Sequence, residues 1–418
     1  MLSLLQAYKL CVVFCLQLLA MTPKTKNLNH LANLTEKFQE DVKKKYDTHL
    51  KLPAQIGTDY NFRRKIVWFN VLGFIALHLS ALYGYYLCLY AHFFTIIWML
   101  VVIFGSGIGV TIGAHRLYSH KSFKARWPLR FVLLVLHTIA GQNCMYIWVR
   151  DHRQHHKYSD TDADPHNANR GFFFSHVGWL MSRKHPAVIS KGKTIDMSDL
   201  ESDFLVMFQK TFYKPLYVLF ALALPIAVPV HFWNESYINS LFISYFARYI
   251  MLLNITWLVN SAAHIYGTRP FDETLKPVES RIVAFLSIGE GWHNYHHAFP
   301  WDYRAAEFGS RYSVTTFVIN LLAAVGLAYD LKTAPYTMIQ HRALRAGDGS
   351  HHIFGKDAQE KYGHIPYVQT PSKDDIRTGE DDLINTRPPS IKDELGQDEK
   401  SLFSPENNNI SENEVCCR

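Results

Sequence analysis

Three short stretches of this chain concentrate histidine. Trp148-Val-Arg-Asp-His-Arg-Gln-His-His-Lys157 holds His152, His155 and His156, and Gly291-Trp-His-Asn-Tyr-His-His-Ala298 holds His293, His296 and His297. On a helix, positions i, i+3 and i+4 share one face, so each H-x-x-H-H stretch presents three imidazoles together. His115-Arg-Leu-Tyr-Ser-His120 supplies two more. One such cluster is weak evidence, because surface histidines are common. Three clusters bring eight imidazoles, too many for a single structural zinc with its roughly four ligands. Neutral imidazole suits iron, copper, nickel and zinc, so ligand type alone does not choose among them. Ligand number does help. Eight or nine nitrogens can hold two six-coordinate ions and leave places for water or oxygen. The pattern points to a two-metal site for redox or oxygen chemistry, read here as di-iron.

The elements that must position these groups are apolar. The chain has 418 residues, of which 48% are hydrophobic and 14% aromatic, and long apolar runs at 66–114 and 216–262 sit between polar regions. Ile66 to Tyr90 is long enough to span a bilayer, and after a turn at Ala91-His92, Phe93 to Ala114 returns across it. Leu216 to Trp233 and Leu241 to Ala262 form a second pair, with Pro225 and Pro229 expected to kink the first member. Arg63, Arg64 and Lys65 precede the first pair, and Arg116, Lys121, Lys124 and Arg126 follow it. The short turn lacks Lys and Arg, so the positive-inside rule puts the outer ends in the cytosol. The connector from His231 to Ser240 has Glu235 and no basic residue, so it is expected in the lumen; it contains the sequon Asn234-Glu-Ser236. All the histidine clusters then fall on the cytosolic face.

Other segments follow from the same logic. Gly105, Gly107, Gly109 and Gly113 give the second span a small face, for close packing or for a ligand. His115 and His120 lie five apart, about 140° on a regular helix, so that helix must bend or end between them to share a metal. Residues 128–147 are apolar but broken by Pro128, His137, Gly141, Gln142 and Asn143, which suits a helix on or dipping into the interface. Residues 313–329 suit a second interfacial helix. Asn260 and His264 stand one helical turn apart at the exit of the fourth span, which makes His264 a ninth ligand candidate. The fold expected is an all-α integral membrane protein, four transmembrane helices under a cytosolic helical cap (115–215 and 263–345) that holds the site. Residues 1–65 read as a leader and cytosolic segment, 66–355 as the catalytic domain, and 356–418 as a disordered, charged tail. The run Cys11 to Ala20 is short for a span, and Lys24 and Lys26 follow it with no cleavage site, so 1–21 reads as a dispensable leader or weak anchor. The six cysteines, Cys11, Cys15, Cys88, Cys144, Cys416 and Cys417, show no framework spacing and are expected reduced. The net charge of +7 suits a membrane surface, and no nucleic-acid partner is expected.

His115-Arg-Leu-Tyr-Ser-His120, His152-Arg-Gln-His-His156 and Gly289-Glu-Gly-Trp-His-Asn-Tyr-His-His297 resemble the three histidine boxes of membrane acyl-CoA desaturases. The resemblance covers roughly residues 50–350. It includes Asn260-Ser-Ala-Ala-His264 and the insect-like Arg342-Ala-Leu-Arg-Ala-Gly-Asp-Gly349, with Trp292 standing where Phe is usual. It implies a stearoyl-CoA desaturase-like enzyme of the insect Δ9/Δ11 type. Such an enzyme has two iron ions, uses O2, and takes electrons from cytochrome b5 and its NADH-dependent reductase. It sits in the endoplasmic reticulum membrane with both termini cytosolic. It places a cis double bond in a saturated fatty acyl-CoA, most often at carbon 9 of stearoyl- or palmitoyl-CoA. By resemblance, His115, His120, His152, His155, His156, His264, His293, His296 and His297 are the iron ligands, and Asn260 reaches one iron through water. Asn70, Asn143, Arg150, Asp151, Arg183, Lys184 and Trp257 match positions that contact the acyl-CoA. The residues themselves agree in part: Arg183 and Lys184 suit CoA phosphates. Ile103 and Gly107 share a face at i and i+4. Gly107 precedes His115 by eight residues, about 12 Å of helix, so the pair is expected at the far end of an acyl tunnel, with helix packing as the rival role for Gly107.

The chemistry explains why such a site needs metal. An unactivated methylene C–H has no acid–base handle, so no side chain can remove its hydrogen. An oxidising metal centre can, and positioning must choose among chemically equal methylenes. A fatty-acid hydroxylase or a desaturase with shifted regioselectivity (Δ11 type, pheromone precursors) shares this logic. A front-end desaturase usually has Gln at the first position of the third box, where this chain has His293, and a fused His-Pro-Gly-Gly domain, whereas His185-Pro186 is followed by Ala187. A metal transporter would carry ligands within its spans, and these clusters read as lying outside them.

Overall fold

The computed structural model describes residues 56–307, 313–356 and 358. The leader-like run, Cys11, Cys15, Cys416, Cys417 and the tail beyond Ala358 lie outside the described residues. Among the described residues, four helices are long and apolar enough to cross a bilayer. Two are α1 (Trp68–Leu87) and α2 (Phe93–Ser119); after the pair α3 (Trp127–Ala140) and α4 (Met145–Tyr158) come α5 (Tyr213–Trp233) and α6 (Tyr237–Ile265). Short helices complete the cap, among them α7 (Arg281–Leu286), α8 (His293–Ala298) and α9 (Val314–Ala324). A two-residue antiparallel pair, β1 (Lys124–Ala125) with β2 (Ala328–Tyr329), ties the entry of α3 to the exit of α9.

Two spans run further than hydropathy indicates. α2 continues past Ala114 to Ser119, and α6 past Ala262 to Ile265. His115 and His264 therefore stand on the spanning helices themselves, which corrects the reading of every ligand as outside the spans. Hydropathy stops at the first polar side chains, whereas the backbone ladder does not. From Gly109 to Ser119, α2 is wound as a π-helix. The His120 N–H reaches the His115 carbonyl at 3.2 Å, the i→i+5 bond of that winding. A wider turn replaces the expected bend, and it draws residues five apart toward one face.

The prolines of α5 do not break it; Tyr213–Trp233 remains one spanning helix. A proline offers no N–H to the carbonyl four residues back. For Pro225 that carbonyl is Ala221 O, which accepts from Arg248 Nη2 at 2.7 Å. For Pro229 it is Pro225 O, which accepts from Trp98 Nε1 at 3.0 Å. Each freed acceptor is met by a donor from another span, as a bilayer requires. Arg248 is fully buried on α6, and its Nη1 also donates to Ile139 O at 2.7 Å near the end of α3. One guanidinium thus ties α6 to α5 and α3. There α3 stops at Gly141, with φ +70°, and the chain turns through 85° into α4. At the opposite ends of the spans, buried Glu235 accepts from His92 N at 2.8 Å, Thr95 Oγ1 at 2.7 Å, Ser236 N at 2.9 Å and Asn239 Nδ2 at 3.0 Å. This carboxylate joins the two interhelical turns.

Helices cross closely at glycines. A Cβ on Gly84 of α1 would lie 2.2 Å from Phe242 O of α6. On α2, a Cβ on Gly109 would lie 2.3 Å from His137 N and 2.4 Å from Leu136 C of α3. Gly107, two residues away, would meet nothing closer than 3.8 Å. Gly109→Ala is therefore expected to destabilise the protein by about 1–3 kcal/mol or more, because the obstacle is backbone. Gly107→Ala is expected to be tolerated. Thermal melting of the detergent-solubilised variants checks the contrast; equal melting points would show that the α2–α3 crossing yields freely.

Candidate metal centre

The nine histidines converge under the ends of α2 and α6. α4 and α8 each deliver three imidazoles at i, i+3 and i+4, α2 delivers His115 with His120 just beyond its end, and α6 delivers His264. They separate into two groups, each with ligand atoms within 4.8 Å of one another: His115, His120, His152, His156 and His296, then His155, His264, His293 and His297. The division cuts across the motifs. His155 leaves its neighbours on α4 for the second group, and His296 leaves its neighbours on α8 for the first.

The ring nitrogens show what the groups can hold. His115 Nε2 lies 2.9 Å from His296 Nε2, His120 Nε2 2.8 Å from His152 Nε2, and His156 Nε2 3.0 Å from His296 Nε2. In the second group, His264 Nε2 lies 3.2 Å from His293 Nε2, and the buried His297 Nε2 has no hydrogen-bond partner. Carboxylates occupy the other nitrogen of three rings. His115 Nδ1 meets Glu290 Oε2 at 2.8 Å, His155 Nδ1 meets Asp164 Oδ2 at 2.9 Å, and His264 Nδ1 meets Asp160 Oδ2 at 3.0 Å. A carboxylate at Nδ1 fixes the proton there and leaves the Nε2 lone pair aimed inward. Where both facing nitrogens carry lone pairs, such distances are repulsive unless a cation lies among them. Burial, then the neighbouring imidazoles, hold His120, His293, His296 and His297 well below the ordinary imidazole range. They stay neutral, the form that ligates metal. The donor set fits two metal ions.

The carboxylates are themselves anchored. Burial alone would raise their pKa values, but their partners prevail. Asp160 is held below the usual range by His264 and the Ala168 N–H, Asp164 by His155 and His166, and Glu290 by Arg116 and His115. Arg116, also buried, donates to Glu290 Oε1 at 2.8 Å. Glu290, Asp160, Asp164 and Arg116 were missed in the sequence. Glu290 lies inside a motif, and Asp160 and Asp164 follow one closely, but nothing in one chain says which acid meets which ring.

A cavity leads away from the histidines between α2 and α6. His115, His152, His155 and His293 border one end, and Leu100 and Phe104 lie toward the other. Leu100 precedes His115 by fifteen residues, roughly 22 Å of helix. Ile103, Gly107 and Asn260 all line this cavity. So does Thr256, which accepts from Gln142 Nε2 at 2.8 Å. The remaining sequence candidates fall elsewhere. Asn70 Nδ2 donates to Leu180 O at 2.8 Å. Trp257, 3% exposed, packs edge-on to Phe74 at 5.6 Å and to His176 at 5.7 Å. Neither lines the cavity; an apolar helix hides which of its faces meets a ligand. Asn143, φ +80°, stands in the turn between α3 and α4. Asp151 binds Arg150 Nη2 at 2.9 Å and Lys184 Nζ at 2.8 Å. Arg183 and Lys184 line a smaller depression with Arg64 and Arg170.

The comparisons with known proteins converge on this arrangement. The Fatty acid desaturase family model matches residues 93–307. The acyl-CoA Delta-9 desaturase of Acheta domesticus is 55% identical over 296 residues, 70% of this chain and 82% of the relative. The chain belongs to the fatty acid desaturase family. Within that family, the stearoyl-CoA desaturase of Homo sapiens is 52% identical over 285 residues, 68% of this chain and 79% of its own length. The acyl-CoA Delta12-desaturase of Acheta domesticus is 52% identical over 297 residues, 70% of this chain and 83% of its own length. Like the family, this chain is an all-helical, multi-pass membrane protein with histidine clusters able to bind metal.

If the carboxylates orient the ligating rings, Asp160→Asn and Asp164→Asn should each weaken metal retention by about 10–100-fold while the helices remain. Metal content after dialysis against a chelator, with circular dichroism on the same samples, measures this. Full retention in both variants would show that the rings need no such support.

Proposed function

We propose that this chain is an acyl-CoA desaturase that places a cis double bond at carbon 9 of stearoyl- or palmitoyl-CoA. The observation that carries the reading is the division of nine buried or half-buried imidazoles into groups of five and four at one end of an apolar cavity. His115, His120, His152, His156 and His296 hold one iron; His155, His264, His293 and His297 hold the other, with Asn260 reaching it through water. Bound there, the two irons supply, with O2, the oxidising power that an unactivated methylene C–H demands. The residues do the rest. Asp160, Asp164 and Glu290 fix the direction of the His264, His155 and His115 rings. α2 and α6 exclude water and hold the chain extended, so that one pair of methylenes is presented. Asn143, Arg150, Asp151, Arg183 and Lys184 receive the CoA end, with Asn70 and Trp257 supporting that side through the loop and helix they pack against. Electrons come from cytochrome b5 and its NADH-dependent reductase. The enzyme resides in the endoplasmic reticulum membrane, with both termini and the histidines cytosolic.

Relatives named for Delta-9 and Delta12 desaturation are 55% and 52% identical to this chain, so overall identity does not fix the bond position. Expression in a desaturase-deficient yeast, with mass spectrometry of the fatty acids, tests the reading. The expected outcome is a Δ9 monoene, two irons per purified chain, and no product from His155→Ala or His296→Ala although both remain membrane-bound. A hydroxylated product, one iron per chain or tightly held zinc would overturn it.

The CoA end has its own test. Each charge-assisted contact to a phosphate contributes about 1.5–3 kcal/mol, so Arg183→Ala with Lys184→Ala should raise the apparent KM strongly and leave kcat nearly unchanged. An unchanged KM in microsomal assays would mean a solvated basic loop.

A further inference from the structure

Ile288 follows α7 with φ +55°, a left-handed backbone that β-branched residues rarely adopt. The turn itself is regular. Ser287 caps α7, and the Gly289 N–H returns to the Ala284 carbonyl at 2.8 Å. This is a Schellman closure, with Ile288 where glycine is usual. Glycine comes one residue later: a Cβ on Gly289 would lie 2.3 Å from Ser313 Oγ. The Ile288 carbonyl is pinned by the Thr315 N–H at 3.2 Å and the Thr315 hydroxyl at 3.0 Å. Glycine at 288 would close the same turn with less strain. The turn does not need the isoleucine side chain, which packs against the cluster of Ile108, Ile112, Leu133 and Ile319 and also lines the cavity.

In the cavity, the Ile288 Cδ1 lies 3.8 Å from where a Gly107 Cβ would stand. Leu100 and Phe104 line the cavity further along α2 from the histidines. Ile288 and Gly107 thus face each other in the cavity lining. We propose that Ile288 is a specificity-determining residue, whose side chain in the cavity lining opposite Gly107 limits how long a saturated chain can extend past the metal end. This rests on the acyl-CoA reading above. Backbone and neighbours hold the limit rigid: Thr315 Oγ1, which fixes the Ile288 carbonyl, also meets Thr111 Oγ1 of α2 at 3.4 Å.

The test uses full-length wild type, Ile288→Gly and Ile288→Phe in desaturase-deficient yeast fed saturated 14-, 16-, 18- and 20-carbon acids. Ile288→Gly should raise the ratio of 20- to 16-carbon monoenes by roughly tenfold, the scale of one or two methylenes in an apolar pocket. Ile288→Phe should lower that ratio. The melting temperature of purified Ile288→Gly reads the balance between a relaxed backbone and lost packing. Unchanged ratios in both variants beside an active wild type would overturn the inference alone. So would an equal loss on all chain lengths with a lowered melting temperature, which would make Ile288 a packing residue. A wild type that makes no monoene would overturn the desaturase reading and this inference together.

Discussion

Nine imidazoles turn ring nitrogens into one small space, and the structure is arranged around that fact. Such a convergence is repulsive by itself. It persists because carboxylates hold the outer nitrogens of His115, His155 and His264, which fixes tautomer and direction, and because the inner nitrogens share a purpose as metal ligands. The carboxylates in turn need anchors, since a buried charge without partners is costly. Arg116 on Glu290 and the Ala168 N–H on Asp160 meet that need. The site is better described as a set of orienting pairs than as a list of ligands.

Those pairs come from elements far apart in the chain, so the spans must hold a fixed register. Here the bilayer supplies the rule: every backbone acceptor left free must find a donor within the protein. Pro225 and Pro229 inside α5 free two carbonyls, and Arg248 and Trp98 use both to draw α6 and α2 against it. Arg248 reaches the end of α3 as well, close to the turn that aims α4 and its three histidines. A feature that disrupts one helix has become the means of fastening several. The same economy appears in α2, where π winding costs helix regularity but brings His115 and His120 within 4.9 Å, ring centre to ring centre.

Between α2 and α6, one set of surfaces serves packing and another the cavity. Gly109 is pressed against α3, whereas Gly107 faces Leu252 and Ile288 at van der Waals distance. Two glycines in one small-residue stripe have different physical duties, and the spacing of the stripe does not separate them. Trp257 gives the reverse case. It lies on α6 among residues that border the cavity, yet it packs toward α1 and toward His176 of the short helix Phe172–His176 instead.

Much of the site was legible in the sequence, because helical periodicity is local. The spacings 152, 155, 156 and 293, 296, 297 set three rings on one side of a helix before any packing is known. Four apolar runs announced four spans, since the length of a crossing is set by the bilayer. What lay beyond reach was everything that depends on a partner distant in the chain. The sequence could count nine ligands but could not divide them; only packing α4 against α8, α2 and α6 sends His155 one way and His152 with His156 the other. It could show Arg248 inside an apolar run but not the carbonyls that neutralise its cost. It says nothing of the left-handed backbone at Ile288, because backbone strain has no signature in residue type. Local spacing determined what chemistry the chain can perform, and tertiary contacts, which alone bring Nε2 atoms and carboxylates together, decided where each atom performs it.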